Sequence, residues 1–302
     1  MTAIIMAYLI KNIISLIRPE QWIKNLFVIA PAFFAGKITS PTTFTDSIIA
    51  AISFCLISSS VYCFNDIFDA ASDRKHPVKC NRPIASRAIS PVSAAILSCI
   101  LALGSFLLAG NLDVKLIYLL GIYLGINILY TLFLKRFSII DITIISFGFI
   151  LRLLVGSIST DCFLSPWIVI VTFLLSLFLA LGKRREEVSF YIKTGTESRV
   201  SVTRYSLKFI DSAMTLTAAS IITSYFIYAA IPNSSRAITS EYFYLTGLPV
   251  TIGILRYLQI CVDENSGGTH HRLLINDSVI IWCIIVYLTF FFFFMYGESC
   301  CF

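Results

Sequence analysis

The chain has 302 residues, of which 57% are hydrophobic and only 13% charged, with a formal net charge of +6. A soluble globular domain carries about a quarter charged residues, so this composition excludes one and predicts an integral membrane protein whose solvent is the bilayer. The apolar runs are long and continuous rather than short alternations, so the spans are predicted to be helices and not strands of a closed barrel.

The N-terminal MTAIIMAYLIKNIISLIRPEQW has a short apolar stretch, interrupted by Lys11, and no small-residue cleavage site follows it. It is therefore unlike a signal peptide. Residues 3–17 are predicted to form an amphipathic helix at the membrane interface. Nine apolar segments follow, near 22–38, 44–64, 89–110, 114–134, 138–158, 165–182, 208–231, 241–261 and 276–296, each long enough for a span. Turn chemistry separates them at Gly36–Pro41, Gly110-Asn111, Ser165-Pro166 and Pro232-Asn233. The expectation is an all-α membrane protein, a single transmembrane domain over 1–302 with an interfacial helix at 1–17.

Loop charge sorts these segments. With nine spans, nineteen of the 23 Lys and Arg residues fall on one face, which holds the N-terminus and the loops after spans two, four, six and eight. The opposite face holds only Lys37, Lys115 and Arg236. The positive-inside rule places the cation-rich face in the cytoplasm. The one remaining cation, Arg152, lies inside the fifth span, where a charge is costly unless it faces a polar cavity.

The densest charge is NDIFDAASDRKHPVKCNRPIAS, residues 65–86. Asn65, Asp66, Asp69 and Asp73 fall at i, i+1, i+4 and i+8, which brings them to one helical face or its edge. Carboxylates so close repel one another unless a cation lies between them. Carboxylate-and-water coordination suits Mg²⁺, which bridges to substrate phosphates. The plain alternative is a solvated helix end, but these acids close a membrane helix and run directly into a basic loop. In that loop Arg74, Lys75, Lys79 and Arg82 offer cations to an anionic ligand, arginine bidentately. Asn65, Asp66, Asp69 and Asp73 are the candidate metal ligands, and the three aspartates the candidate catalytic residues. His76, before Pro77, reads as a loop hydrogen-bonder rather than a ligand.

NDIFDAASD has the form NDxxDxxxD and resembles the first aspartate-rich motif of the UbiA superfamily of intramembrane prenyltransferases. RPEQWIKN (18–25), LYTLFLKRFSIIDI (129–142), FILRLLVGS (149–157) and LFLALGKRREE (177–187) look more narrowly like its decaprenyl-phosphate phosphoribosyltransferase branch. The resemblance runs from about residue 18 to the end. It implies nine transmembrane helices around a central polar cavity open to the cytoplasm, in a bacterial inner membrane. It implies a reaction in which a polyprenyl phosphate attacks C1 of 5-phosphoribosyl 1-diphosphate and diphosphate leaves. The product is a precursor of lipid-linked arabinofuranose donors. Mg²⁺ is the implied cofactor; the two substrates and the lipid bilayer are the implied partners, with no nucleic acid.

On that resemblance, Lys79 and Arg82 hold phosphate oxygens beside the metal. Lys24, Tyr130, Lys135, Arg152, Lys183 and Arg184 are candidates for the remaining phosphates, with Asp141 as a further acid. Family members with aromatic acceptors usually carry a second DxxxD-type motif after span six, where this chain has KRREE. That departure fits a donor with an extra 5-phosphate. Glu186 and Glu187 could assist a metal or pair with the adjacent arginines. One alternative is a prenyltransferase moving a prenyl group from its diphosphate to an aromatic acceptor. Another is a transporter, but transporter sites lie near the bilayer midplane, and here acids and bases share one face.

Three other features suggest no chemistry. FFFFF at 290–294 reads as the lipid-facing end of the last span. Gly267-Gly268 reads as a loop turn, and His270-His271 as a solvated pair without a third ligand. The nine cysteines include no CxxC pair, and Cys55, Cys99, Cys162 and Cys283 sit in apolar runs as small hydrophobes. Cys300-Cys301 carries no assigned function.

Overall fold

Ser-Pro pairs open three of the long helices, at Ser40-Pro41, Ser90-Pro91 and Ser165-Pro166. Proline suits the first helical position because its missing N–H has no partner there in any case. At Ser90 the side chain also accepts a hydrogen bond from the Ser93 N–H, at 3.0 Å. The computed structural model describes residues 2–75, 78–195, 202–230, 242–263 and 277–294. His76, Gly267, Gly268, His270, His271, Cys300 and Cys301 lie outside them.

The helices are α1 (Thr2–Ile17), α2 (Ala30–Phe34), α3 (Pro41–Asp73), α4 (Pro91–Gly110), α5 (Val114–Leu132), α6 (Ile140–Thr160), α7 (Pro166–Thr194), α8 (Leu207–Ala230), α9 (Gly247–Asp263) and α10 (Ser278–Phe292). No strand occurs among the described residues. Seven helical stretches are long and apolar enough to cross a membrane, and α10 is a shorter apolar helix. The chain is a multi-pass helical membrane protein. The expected first span, 22–38, is not one helix. It is a 3₁₀ segment, Pro19–Val28, followed by the short α2. Arg18 enters the segment in the left-handed region, with φ 53°. Pro19 and Pro31 then remove two N–H donors, and Pro31 would crowd the carbonyl four residues back in a continuous α-helix.

By internal contacts the chain forms two compact units, the first comprising Met1–Phe33, Lys37–Lys135 and Leu151–Cys162, and the second Phe34–Gly36, Arg136–Ile150 and Phe163–Phe302. In the first, Val28, Phe54, Ile57, Leu116, Leu120, Leu151 and Val155 form one core. Leu16, Cys63, Ala70, Ile84, Ile89 and Ala94 form another, which docks the end of α1 and the loop after α3. Serines join α3 to α4: the Ser105 hydroxyl donates to the Ser53 carbonyl at 2.7 Å, and Ser60 and Ser98 pair at 3.0 Å. Where lipid supplies no hydrophobic drive, small residues and such bonds let helices approach closely.

Gly156 of α6 shows this at its tightest. A Cβ built there would lie 1.8 Å from the Val28 carbonyl oxygen. Because that neighbour is backbone, Gly156→Ala is expected to destabilise the first unit by about 2 kcal/mol or more, above the middle of the overpacking range. Thermal unfolding of the detergent-solubilised variant checks this.

In the second unit, α7, α8 and α9 share a core built on Phe178, Leu181, Ile210, Met214, Ile221, Tyr257 and Ile260. The phenylalanine run divides. Phe290, Phe292 and Phe293 are exposed, but Phe291 is fully buried, with ring centroids 5.1 Å from Phe34 and 5.9 Å from Phe243. The run is therefore only partly lipid-facing, because helical spacing turns its second residue inward.

Candidate active site

The 33 residues of α3 span about 50 Å at 1.5 Å each, well over a hydrocarbon core of about 30 Å. The aspartates occupy the last turns of this helix, so a helix entering lipid at one end carries them beyond it at the other. Asp66 and Asp73 are two turns apart and both buried, at 2% and 4% exposure. Burying a carboxylate requires a partner, and two arginines from two other segments supply it, while a lysine from a third meets Asp69.

Arg18 Nη2 lies 2.5 Å from Asp66 Oδ1. Arg82 Nη1 is 3.2 Å from the same oxygen and 2.7 Å from Asp73 Oδ2. Lys135 Nζ is 2.5 Å from Asp69 Oδ1. Arg82 reaches back because the loop folds onto α3: Arg74 Nε donates to the Ala85 carbonyl at 3.1 Å, and Ile84 and Ala85 are buried. Asn65 accepts a hydrogen bond from the Thr131 hydroxyl, which fixes its amide. Arg18 also stacks over the Tyr62 ring, 5.1 Å from its centroid.

The donor set suits a hard cation. It offers three carboxylates and an amide oxygen within three turns, and Asp66 Oδ2 is buried without a hydrogen-bond partner among the described residues. No three His, Cys, Asp or Glu side chains among those residues stand close enough to form a protein-only metal cage. Mg²⁺ does not need one, since it is usually held by one or two carboxylates together with water and substrate phosphates.

The other candidates in the first unit fall into different settings. Lys79 is half-buried at the start of the 3₁₀ turn Lys79–Asn81, and Tyr130 is half-buried on the last turn of α5. Lys24 Nζ donates to Gln21 Oε1 at 2.7 Å. Arg152 is buried; its Nε donates to Asn25 Oδ1 at 2.9 Å, and its guanidinium lies over the Phe54 and Tyr123 rings, 4.6 and 5.4 Å from their centroids. Asn25 in turn donates to Ser58 at 3.2 Å. Of the 3₁₀ segment, Asn25 and Val28 are the buried residues, and this cluster ties Asn25 to α3 and α6.

Asp141 and Arg184 belong to the second unit. Arg184 Nε and Asp141 Oδ2 are 2.8 Å apart, at 2% and 0% side-chain exposure, and Arg184 also pairs with Glu187. The Tyr205 hydroxyl donates to Asp141 Oδ1 at 2.8 Å and accepts from the Ile139 N–H at 2.5 Å. Burial, followed by the carboxylate beside it, pushes the Tyr205 phenol well above its usual range, so it remains a donor. KRREE lies on α7 rather than in a loop, and Arg185 pairs with Asp211 at 2.6 Å. Only Lys183 of its three cations is exposed. Arg18, Thr131 and Tyr205 carry no clear signal in the sequence beyond the place of Arg18 at the head of RPEQWIKN, directly before a proline.

The fold and the site together define a multi-pass helical membrane protein with an aspartate-rich helix end enclosed by cations. The chain belongs to the UbiA prenyltransferase family, whose sequence profile matches residues 25–275. It is 32% identical over 269 residues to the decaprenyl-phosphate phosphoribosyltransferase of Mycolicibacterium smegmatis, covering 86% of this chain and 84% of the relative. It is 33% identical over 263 residues to the enzyme of the same name from Corynebacterium glutamicum, covering 85% and 78%. In fold it resembles a UbiA homolog from Archaeoglobus fulgidus solved with GPP and Mg²⁺, with a TM-score of 0.71 and 16% identity over 95% of this chain and 98% of that one.

Proposed function

We propose that the chain transfers the 5-phosphoribosyl group from 5-phosphoribosyl 1-diphosphate to a polyprenyl phosphate of the decaprenyl type, with Mg²⁺ and release of diphosphate. The observation that carries this is the set of three carboxylates and three cations at the end of α3, suited to a metal and a diphosphate at once. The substrate class comes from the relatives' names. A phosphate oxygen of the lipid bonds to C1 as the C1–O bond to diphosphate breaks, and the bonding pair leaves with diphosphate. The lipid phosphate is already anionic, so no protein nucleophile or strong base is needed.

Asp66, Asp69 and Asp73 would hold the metal, with Asn65 oriented by Thr131. When bound there, Mg²⁺ offsets the charge growing on the departing diphosphate. Arg82 and Lys135 line the same helix end and, with Lys79 in the 3₁₀ turn before Arg82, would stabilise that charge with preorganised donors. Catalysis is then chiefly positioning and electrostatics. Lys24, Tyr130 and the exposed Lys183 are the candidates for the remaining phosphates. The buried settings of Arg152, Arg184 and Asp141 favour positioning roles for them instead.

The cation-rich face supports a bacterial cytoplasmic membrane with the site opening to the cytoplasm. The product would feed lipid-linked arabinofuranose donors. Membranes containing the chain, incubated with radiolabelled 5-phosphoribosyl 1-diphosphate, decaprenyl phosphate and Mg²⁺, are expected to yield lipid-soluble label. Absence of that label, with label instead transferred from a prenyl diphosphate to an aromatic acid, overturns the assignment.

A further inference from the structure

Every carboxylate of the α3 motif carries a cation. Arg18 and Arg82 approach one oxygen of Asp66 at 2.5 and 3.2 Å, Arg82 approaches Asp73 at 2.7 Å, and Lys135 approaches Asp69 at 2.5 Å. All six residues belong to the first unit. Three negative charges thus face three positive ones, and the cluster is balanced.

Adding Mg²⁺ to this arrangement meets two obstacles. The ion needs its oxygens at about 2.0–2.1 Å in a near-octahedral shell, and three of the motif's carboxylate oxygens already point at cations. The ion also brings two positive charges to a site with no negative charge to spare. A diphosphate-bearing anion removes both obstacles. Its oxygens are better partners for guanidinium than a single carboxylate oxygen, since they accept the arginine fork bidentately. Once the cations turn to phosphate, the carboxylates are released to the metal. Asp66 Oδ2, buried without a hydrogen-bond partner, is already open to it.

We propose that Arg18, Arg82 and Lys135 hold the aspartates in the absence of substrate and exchange partners on binding. The metal therefore enters together with a diphosphate-bearing anion and not before it. Arg18 becomes a diphosphate-binding residue of the site, delivered by the turn at the head of the 3₁₀ segment. This rests on the metal reading of the α3 motif given above.

Equilibrium dialysis of Mn²⁺ against the detergent-solubilised full chain tests it, with inorganic diphosphate absent or in excess. Coupling between two ligands is typically about 5–150-fold and must be reciprocal. Mn²⁺ retention is expected to tighten by at least about tenfold, in the middle of that range, when diphosphate is present. Diphosphate retention should tighten by the same factor when Mn²⁺ is present. Arg18→Gln should bind Mn²⁺ alone more tightly than the unaltered chain and the pair more weakly, with Arg18→Lys in between. Mn²⁺ alone binding as tightly as with diphosphate overturns the exchange and leaves the metal reading intact. No retention in either arm, from protein shown to be folded by its thermal transition, overturns both. The unaltered chain gives the main comparison, so the test stands even if a variant does not fold.

Discussion

Asp66→Asn is expected to lower phosphoribosyl transfer by about a thousand-fold, the upper end of what loss of one preorganised charge-stabilising group costs. The substitution keeps the shape of the side chain and removes its charge. Asp66 is the member of the motif met by two arginines, at 2.5 and 3.2 Å, and its second oxygen is buried without a partner. No other carboxylate of the motif is so placed. With the charge gone, Arg18 and Arg82 face a neutral amide, and the metal proposed for this site would lose its most enclosed ligand. The loss should fall on kcat as well as kcat/KM, because the charge being stabilised develops as diphosphate departs. Asp69→Asn removes a carboxylate that is one-third exposed and whose place water can partly fill, so its loss should be smaller. Steady-state kinetics on purified variants that retain the parent thermal transition checks both. An Asp66→Asn protein with full activity would remove α3 as the metal-bearing element.

The second large effect is on stability. Arg184→Met is expected to destabilise the second unit by about 3–5 kcal/mol, the usual cost of removing one partner from a buried ion pair. Arg184 pairs with two acids, Asp141 and Glu187, and its own side chain is 2% exposed. Its removal takes from Asp141, at 0% exposure, the cation on Oδ2, while the Tyr205 hydroxyl and the Ile142 N–H on Oδ1 are neutral donors. Asp141→Asn should cost less, because Arg184 keeps Glu187. The double variant Arg184→Met with Asp141→Asn should recover part of the loss, which is the sign of a coupled pair. Thermal unfolding in detergent measures all three. If Arg184→Met left stability unchanged and raised only the KM for 5-phosphoribosyl 1-diphosphate, Arg184 would be a phosphate ligand and not a clamp.

That contrast shows where sequence reading stops. In sequence KRREE fits an extra phosphate, and whether its arginines pair with Glu186 and Glu187 stays open. On α7, successive residues point in different directions around the helix. Arg184 turns inward to Asp141 and Arg185 turns to Asp211. Which side chain is exposed depends on what packs against the helix, and that is set by segments dozens of residues away. Arg152 gives the same lesson at membrane depth. Its position in an apolar run implied a polar neighbour, but that neighbour, Asn25, lies 127 residues earlier.

By itself the sequence determined the solvent, the helical class and most of the spans, and it pointed to α3 as the candidate site. Hydrophobic runs of bilayer length leave few structures in which every backbone group is bonded. The spacing of Asn65, Asp66, Asp69 and Asp73 carries its own geometry wherever the segment is helical. These are local properties, legible within one or a few turns. Pro19 and Pro31 are local reasons for the break at 22–38, but only the tertiary structure decided where the broken segment docks, with the Val28 carbonyl against Gly156 and Asn25 on Arg152. Only it decided that Arg18, through a left-handed backbone turn, is the cation on Asp66. A salt bridge between residues 48 apart follows from how the helices pack, and no period or motif in the intervening chain encodes it.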